Sequence, residues 1–447
     1  MELDTKYDVK DPDILSKIAL GYSSKIVGEE NNVKFLFCAC ISKDLPRKYR
    51  LSTIITSQSS AGKSNLVNTV LRPFMKDVID FTDYTNAFLK RQNRSMDGKI
   101  FKIEQMERTN EKNQVSMSSL KFLLSEGKLR VGLVERDEKG KNTPQTLEVN
   151  GIPVFISTST NFNIDAESLN RTFLMQVDET EAQTKKIVSH ICKDYSMLSI
   201  NDQWNSELNE LEKLVGIYKM LAHQITDIII PFVNKIEDRI PTANITIRRD
   251  LTKILNLTSV ITFLHASNRK RVQDLNGKDF IIDSFGNTEK RYTYALISEP
   301  SDFKEALEIA DSTIRQTLNK LNESSMEIYE KIKQACKDKT WENQIQEVLD
   351  QKATEGVTVK EMSAILRKSD NRTRELMNQL WSVGYLTREK TKSKEYLYYV
   401  TDKKFEEIKT DDIQFTEEEL NQWIEEQTGK HSERLKVLNP SDSVVVS

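Results

Sequence analysis

The chain has 447 residues, enough for two or three domains, with 38% hydrophobic and 30% charged residues, the balance of a soluble globular protein with many solvated helix faces. Its 65 Lys and Arg against 68 Asp and Glu leave a formal net charge of -3, which excludes a uniformly basic nucleic-acid binder and confines any such contact to local patches. No run approaches the ~20 apolar residues of a membrane span. Met1–Asp13 is too acidic and polar for a secretory signal, and of the four cysteines Cys38 and Cys40, in the apolar run Phe35–Ile41 with no second pair at metal-ligand spacing, read as buried free thiols in a reducing, cytoplasmic setting.

In chain order, Ile14–Lys25 and Asn31–Ser42 read as two helices broken near Gly28, an N-terminal helical segment over residues 1–45. Arg50–Thr56 is a β-rich run, followed by a Ser/Gly loop and an amphipathic run, Lys63–Met75. Lys99–Ile103 reads as a second strand and Ser116–Leu124 as a helix. Leu129–Glu135 and Thr146–Val149 predict a hairpin around the polar turn Asp137–Asn142, and Ile152–Ser157 a buried strand. Strands alternating with helices predict an α/β core over 46–185. From Glu181 to about Lys337 the pattern is helical almost throughout, giving a helical lid and helical region over 186–338. Val357–Arg367 and Asn371–Val383 then predict two short helices around a tight turn. Tyr385–Thr387 and Glu395–Val400 flank a basic turn, completing a winged helix-turn-helix over 339–405. Residues 406–447 predict an acidic helix, Thr416–Gln427, and a disordered Ser/Val end.

The segment Ser57-Gln58-Ser59-Ser60-Ala61-Gly62-Lys63-Ser64 has the length and ending of a Walker A loop, and Asn65 continues into the helix after it. A loop from strand to helix points backbone N–H groups and the positive end of the helix dipole at phosphate. Lys63 would reach the outer phosphates and Ser64 would hold Mg²⁺. Such a loop needs an acid at the end of a neighbouring strand, and Glu104, after Ile100–Ile103, is the candidate.

These residues are joined by Val27–Leu66, Leu120–Leu129, Phe155–Asn161, Asn170–Phe173, Glu181–Thr184, Ile247–Leu251 and Phe263–Arg271. In that order they resemble the AAA+, superfamily 3-like helicase ATPase module of plasmid-, phage- and genomic-island-encoded DNA primase/helicase proteins, over roughly residues 25–275. The resemblance implies an α/β P-loop NTPase core of AAA+ type, and it accommodates Ser57 where the first Gly is usual. It also implies ATP and Mg²⁺ as cofactors. Lys63 and Ser64 would bind them, with Glu104 as the Walker B acid. One of Ser159, Thr160 or Asn161 would orient the lytic water. Arg171 would be an arginine finger offered to a neighbouring subunit, and Arg248 or Arg249 a second sensor reaching from the lid. Gln105 departs from the pattern, which has a second carboxylate there. An amide orients water but cannot accept its proton, which leaves Glu104 or Glu107 as the base, or slow hydrolysis.

In the helicase relatives a hairpin before the sensor strand enters the central pore. Here its tip holds Arg136, Lys139 and Lys141 among acidic neighbours. The second of the two short helices presents Asn371, Arg372 and Arg374, and the wing places Arg388, Lys390, Lys392 and Lys394 on alternate residues, a candidate phosphate rail. The expectation is a ring-forming, hexamer-type ATP-dependent DNA helicase or translocase of a mobile element's replication system. The alternative is an ATP-binding, DNA-binding initiator or regulator with weak or no hydrolysis. A third is a P-loop fold with a protein-binding tail. The sequence has no zinc-binding cysteine set and no polymerising acidic cluster, so a primase or polymerase would be a separate chain.

Overall fold

The computed structural model describes residues 6–58, 61–81, 95–104, 122–136, 142–160, 171–196, 202–237, 239–240, 242, 247–282, 288–319, 321, 323–347, 356–391, 395–405, 408, 413–429 and 435–440. Two compact units emerge, one of residues 1–311 with 409–447 and one of 312–408. The division cuts across the expected segments: its boundary at 311/312 falls inside the expected helical stretch 186–338.

The first unit opens with α1 (Ile14–Gly21) and α2 (Glu30–Ile41), the latter buried along most of its length. Cys38 and Cys40 lie in that buried stretch as free thiols. The chain then lays down β1 (Thr53–Thr56), α3 (Lys63–Leu71), β2 (Val78–Phe81), β3 (Ile100–Ile103), β4 (Lys128–Arg136), β5 (Asn142–Asn150), β6 (Val154–Ser159) and β7 (Phe173–Gln176). Five strands form one parallel sheet in the order β2-β3-β6-β1-β7. β1, β3 and β6 are buried at every position, as expected of a parallel sheet covered on both faces. Ile54, Ile79, Phe101, Ile103 and Phe155 gather with Leu123, Leu129 and Val149 into one apolar cluster. On α2, Phe35 meets Phe173 edge to face with ring centroids 4.8 Å apart.

Two of these strands were not expected. The predicted helix to Met75 ends at Leu71, where Pro73 tightens the chain into a 3₁₀ turn, Arg72–Asp77. That turn frees Val78–Phe81 to join the sheet edge. β7 is only four residues long and is recognisable through its register with β1. The expected hairpin is present as β4 and β5, paired from Lys128↔Asn150 to Arg136↔Asn142. Its tip, with Lys139 and Lys141, lies outside the described residues.

After β7 come α4 (Glu181–Ser196), α5 (Asp202–Ala222), β8 (Ile225–Ile229), α6 (Val233–Glu237), α7 (Ile247–Leu264), β9 (Arg271–Ile282), β10 (Thr288–Ile297) and α8 (Pro300–Ile309). The expectation of an almost wholly helical stretch is therefore corrected. β10 pairs antiparallel with β9 and parallel with β8. The polar β9 run, Arg271-Val272-Gln273-Asp274-Leu275-Asn276-Gly277, carries no continuous apolar signal. Pairing with distant strands decides its state, as is usual for β structure.

The second unit comprises α9 (Asp311–Asn319, from its second residue), α10 (Glu323–Glu347), α11 (Val359–Leu366), α12 (Asp370–Ser382), β11 (Leu386–Lys390) and β12 (Tyr396–Val400). Thr358 and Glu361 form a capping box on α11, and Ser369 caps α12. Between them Arg367 takes a left-handed conformation, φ 51°. β11 and β12 form an antiparallel hairpin, and Val357 bridges to Tyr398 beside it. Ile328, Tyr329, Ile332, Met362, Leu376, Leu380, Tyr385 and Tyr398 share one core.

The chain returns to the first unit with α13 (Glu417–Thr428) and β13 (Leu435–Leu438). β13 pairs antiparallel with β9 and extends that sheet to the order β13-β9-β10-β8. The acidic first turn of α13 is tied down by Lys235–Glu419 at 2.6 Å and Lys270–Glu417 at 3.0 Å. Part of the expected tail is thus folded, because strand pairing and ion pairs hold it. Its last residues, 441–447, lie outside the described residues.

Candidate nucleotide site

All five strands of the parallel sheet end on one edge, where α/β folds bind ligands. β1 sits at the switch point, because the chain leaves it for the far strand β2 and finally returns to its other side as β7. The Ser57–Ser64 loop follows β1. Ser57 N donates to Ser159 O at 3.3 Å, tying the start of the loop to the end of β6. Gly62 precedes α3 with φ +89°, a conformation an L side chain would strain. α3 starts at Lys63, and Leu66 N bonds Gly62 O at 3.0 Å. The N–H groups of Lys63, Ser64 and Asn65 thus belong to the helix's open first turn, a ready anion site. Ser59 and Ser60 lie outside the described residues.

Lys63 is buried, 8% exposed. Its Nζ donates to Ser57 O at 2.7 Å, Ser57 Oγ at 3.0 Å and Gln58 O at 2.7 Å. The ammonium is therefore folded back onto its own loop, where neutral oxygens hold it; phosphate oxygens would be stronger partners. Ser64 and Asn65 are exposed, and Asn65 Nδ2 donates to Lys25 O at 3.3 Å.

Glu104 follows β3, with β6 between it and β1. Strands about 4.8 Å apart place the ends of β1 and β3 about 10 Å apart, and the end of β6 supplies buried Ser159 and exposed Thr160 to that gap. Asn161, Gln105 and Glu107 lie outside the described residues. Glu104 is partly exposed and receives Lys102 Nζ at 3.2 Å; the same ammonium holds Asp80 of β2 at 2.9 Å. The Lys102 side chain is only 5% exposed. Sequence reading missed it, though the alternation of Lys102 and Glu104 along β3 puts both on one face. Ser64 and Glu104 are hard oxygen donors accessible to solvent, a set that fits Mg²⁺. No cluster of three or more His, Cys, Asp or Glu suited to a metal occurs among the described residues, and Mg²⁺ takes most of its remaining ligands from phosphate and water.

The rim beside the loop comes from the chain before α2 and after β7. Glu179 Oε1 accepts from Gln58 N at 2.6 Å. Glu29 accepts from Asp178 N at 2.9 Å and from Asn32 Nδ2 at 2.5 Å, while Asn32 Nδ2 also donates to Gln176 O at 2.8 Å. Burial raises the Glu29 carboxyl to about 6, against the pull of those two hydrogen bonds. Gln183 Nε2 donates to Val27 O, and Gly28 turns there with φ +72°. None of these rim residues follows from the Walker pattern; only the fold brings residues 25–32 and 176–183 to the loop.

Arg171 lies on the opposite edge. Phe173 pairs with Thr53, so Arg171 precedes the start of both β7 and β1. The length of β1, roughly 13 Å for four residues, separates it from the Ser57–Ser64 loop. Arg171 Nε bonds Ser125 Oγ. The β4–β5 hairpin springs from the same edge, where Gly151 N bonds Gly127 O at 2.8 Å ahead of β6. Arg248 and Arg249 are exposed in the first turn of α7. Lys253, further along α7, donates to Thr172 O at 3.2 Å, anchoring this helix to the strand end that carries Arg171. Among the described residues no hydrogen bond or ion pair joins Arg248 or Arg249 to the Ser57–Ser64 loop.

In the second unit Arg372 is paired with Glu375 at 2.7 Å and Arg374 Nη1 donates to Asn371 Oδ1 at 3.4 Å. Lys390 is exposed. Arg388 does not extend as a free rail residue: its guanidinium lies over the rings of Trp381 and Tyr396. Lys392 and Lys394 lie outside the described residues.

No family model matches the chain, and no curated protein matches it. Among solved structures, a full-length MCM homolog from Methanopyrus kandleri aligns at 13% identity and TM-score 0.42, over 69% of this chain and 60% of that one. The chain thus spans less than two thirds of that protein's length. The NrS-1 C-terminal region aligns in an apo form at 14% identity and TM-score 0.28, over 89% and 78% of the two chains. At these values neither fold nor function follows from the likeness. No described helix is long and apolar enough to cross a membrane.

Proposed function

We propose that this chain is an AAA+-type ATPase that assembles head to tail and acts on DNA as a helicase or translocase. The observation that carries the reading is the division of labour between the two edges of one parallel sheet. One edge gathers the Lys63–Ser64 loop, Glu104 and the Ser159–Thr160 strand end. The other carries Arg171, beyond reach of its own loop. Backbone N–H groups and Lys63 would bind the phosphates, Ser64 and Glu104 would hold Mg²⁺, and Thr160 would face the attacking water. The metal would supply charge neutralisation at the transferring phosphate. A neighbouring copy's Arg171 would complete the site, the role an arginine finger plays in trans. The paired helices α11 and α12 with the β11–β12 hairpin support a winged-helix reading for the second unit, with Arg372 and Arg374 toward DNA.

The test mixes the protein with ATP and a forked DNA. Strand separation is expected, and Lys63→Ala is expected to lower ATP turnover by about 10²–10³-fold, as losing one preorganised charge does. Unwinding that persists undiminished in Lys63→Ala would exclude the reading. A second reading, an initiator that uses ATP as a switch, is favoured by one observation: Glu104, the candidate acid, is already paired with Lys102. Under that reading Gln105→Glu raises turnover strongly while DNA binding stays the same.

A further inference from the structure

Two large aromatic rings stand at the surface of the second unit beside one cation. Trp381, near the end of α12, is 42% exposed, and Tyr396, at the start of β12, is 39% exposed. The Arg388 guanidinium carbon lies 3.6 Å from the Trp381 centroid and 4.4 Å from that of Tyr396. Arg388 Nη1 donates to Asn378 Oδ1 at 2.8 Å, and the same oxygen accepts from Tyr398 Oη at 3.0 Å. Tyr398 is a core residue, so the plane of Arg388 is held from beneath. Lys390 shares its strand face with Arg388 and pairs directly across from Tyr396. Cation–π attraction keeps the two rings against the guanidinium, yet leaves each with substantial open surface.

We infer that Trp381, Arg388 and Tyr396 form a stacking platform for the unpaired bases of single-stranded nucleic acid, with Lys390 beside it for the backbone. A fixed cation between aromatic groups is extended most naturally by another flat π face. Every nucleobase offers one, whereas bases inside a duplex do not. Charge points the same way: residues 356–404 hold eleven Lys and Arg against six Asp and Glu, in a chain with a net charge of -3. The platform also accounts for Arg388's geometry, which a simple phosphate contact would not require. This inference rests on the reading of the second unit as a DNA contact, and it is independent of the nucleotide site.

The test uses the full chain, with fluorescence anisotropy on a labelled oligo(dT) and on a duplex of equal length. Trp381→Ala is expected to weaken oligo(dT) binding about tenfold, the scale of one stacked base, with duplex binding changed less than twofold. Trp381→Phe should restore most of the loss. Arg388→Lys, which keeps the charge and loses the plane, should weaken oligo(dT) binding as well. Oligo(dT) binding unaffected by Trp381→Ala and Arg388→Lys, with duplex still bound, would overturn the platform and leave the DNA reading standing. Binding of neither nucleic acid would overturn both. Loss of self-association in sedimentation with Trp381→Ala, at unchanged oligo(dT) affinity, would assign the patch to a second copy instead and overturn the platform.

Discussion

The two edges of the parallel sheet handle positive charge in opposite ways. At the edge where the strands end, Lys63 and Lys102 are buried and each is satisfied within the chain, one by loop carbonyls and a hydroxyl, the other by two carboxylates. At the edge where the strands begin, Arg171 is only partly covered and bonds a serine hydroxyl. A buried ammonium is costly unless it is paired, and at the first edge the chain's own oxygens supply that pairing; under the proposed function phosphate oxygens would replace those around Lys63. Arg171, being partly exposed, does not carry that desolvation cost in full. Under the proposed function the first edge would bind the nucleotide and the second would act only on a neighbouring copy.

The largest expected effect tests the second edge. Arg171→Ala should leave ATP binding intact and lower turnover by about 10³-fold or more, the range of arginine fingers. Mixing Arg171→Ala with Lys63→Ala, each inactive alone, should recover ATPase activity, because the Lys63 variant still offers its Arg171 to an intact loop. A mixture as dead as its components would collapse the distinction between the edges.

A smaller effect tests the first edge. Lys102→Met leaves Asp80 and Glu104 facing each other without their shared cation. Both carboxylates keep access to water, at 46% and 33% side-chain exposure, so the penalty is below that of breaking a fully buried pair. Thermal or denaturant unfolding should show a loss of about 1–2 kcal/mol. Unchanged stability would mean that Lys102 is not the counter-ion of this edge.

The smallest effect concerns the rim. Burial raises Glu29 from its ordinary value near 4.5 to about 6. The folded chain therefore holds a proton that the unfolded chain releases sooner. The stability linked to it is fully present below pH 4.5 and is lost as pH rises through 6, by about 2 kcal/mol at most. In Glu29→Gln this dependence between pH 4.5 and 7 should vanish from unfolding curves. A slope identical to that of the unmodified chain would remove Glu29 from the rim's electrostatics.

Local chemistry made some of this legible before any fold. The Gly-Lys-Ser ending of a loop between a β-rich run and an amphipathic run predicts the turn at Gly62 and the helix that starts at Lys63, and the acidic helix predicted from Thr416 begins where Thr416 caps it. The short strands β2 and β7 and the sheet of β8, β9, β10 and β13 were not legible. Each depends on a partner far along the chain, and polar runs such as Arg271–Gly277 do not declare their state alone. The same holds for the rim of Glu29, Glu179 and Gln183, and for the stack of Arg388 on Trp381 and Tyr396, whose members meet through packing and not through spacing.

Residue order by itself determined that the candidate phosphate groups lie together, because a loop's amides and its lysine are neighbours in the chain. Tertiary structure alone decided which edge each group occupies. That depends on strand order, and strand order is set by non-local hydrogen bonding: it brought Glu104 to the same edge as the Ser57–Ser64 loop with β6 between, and it put Arg171 at the edge where the strands begin.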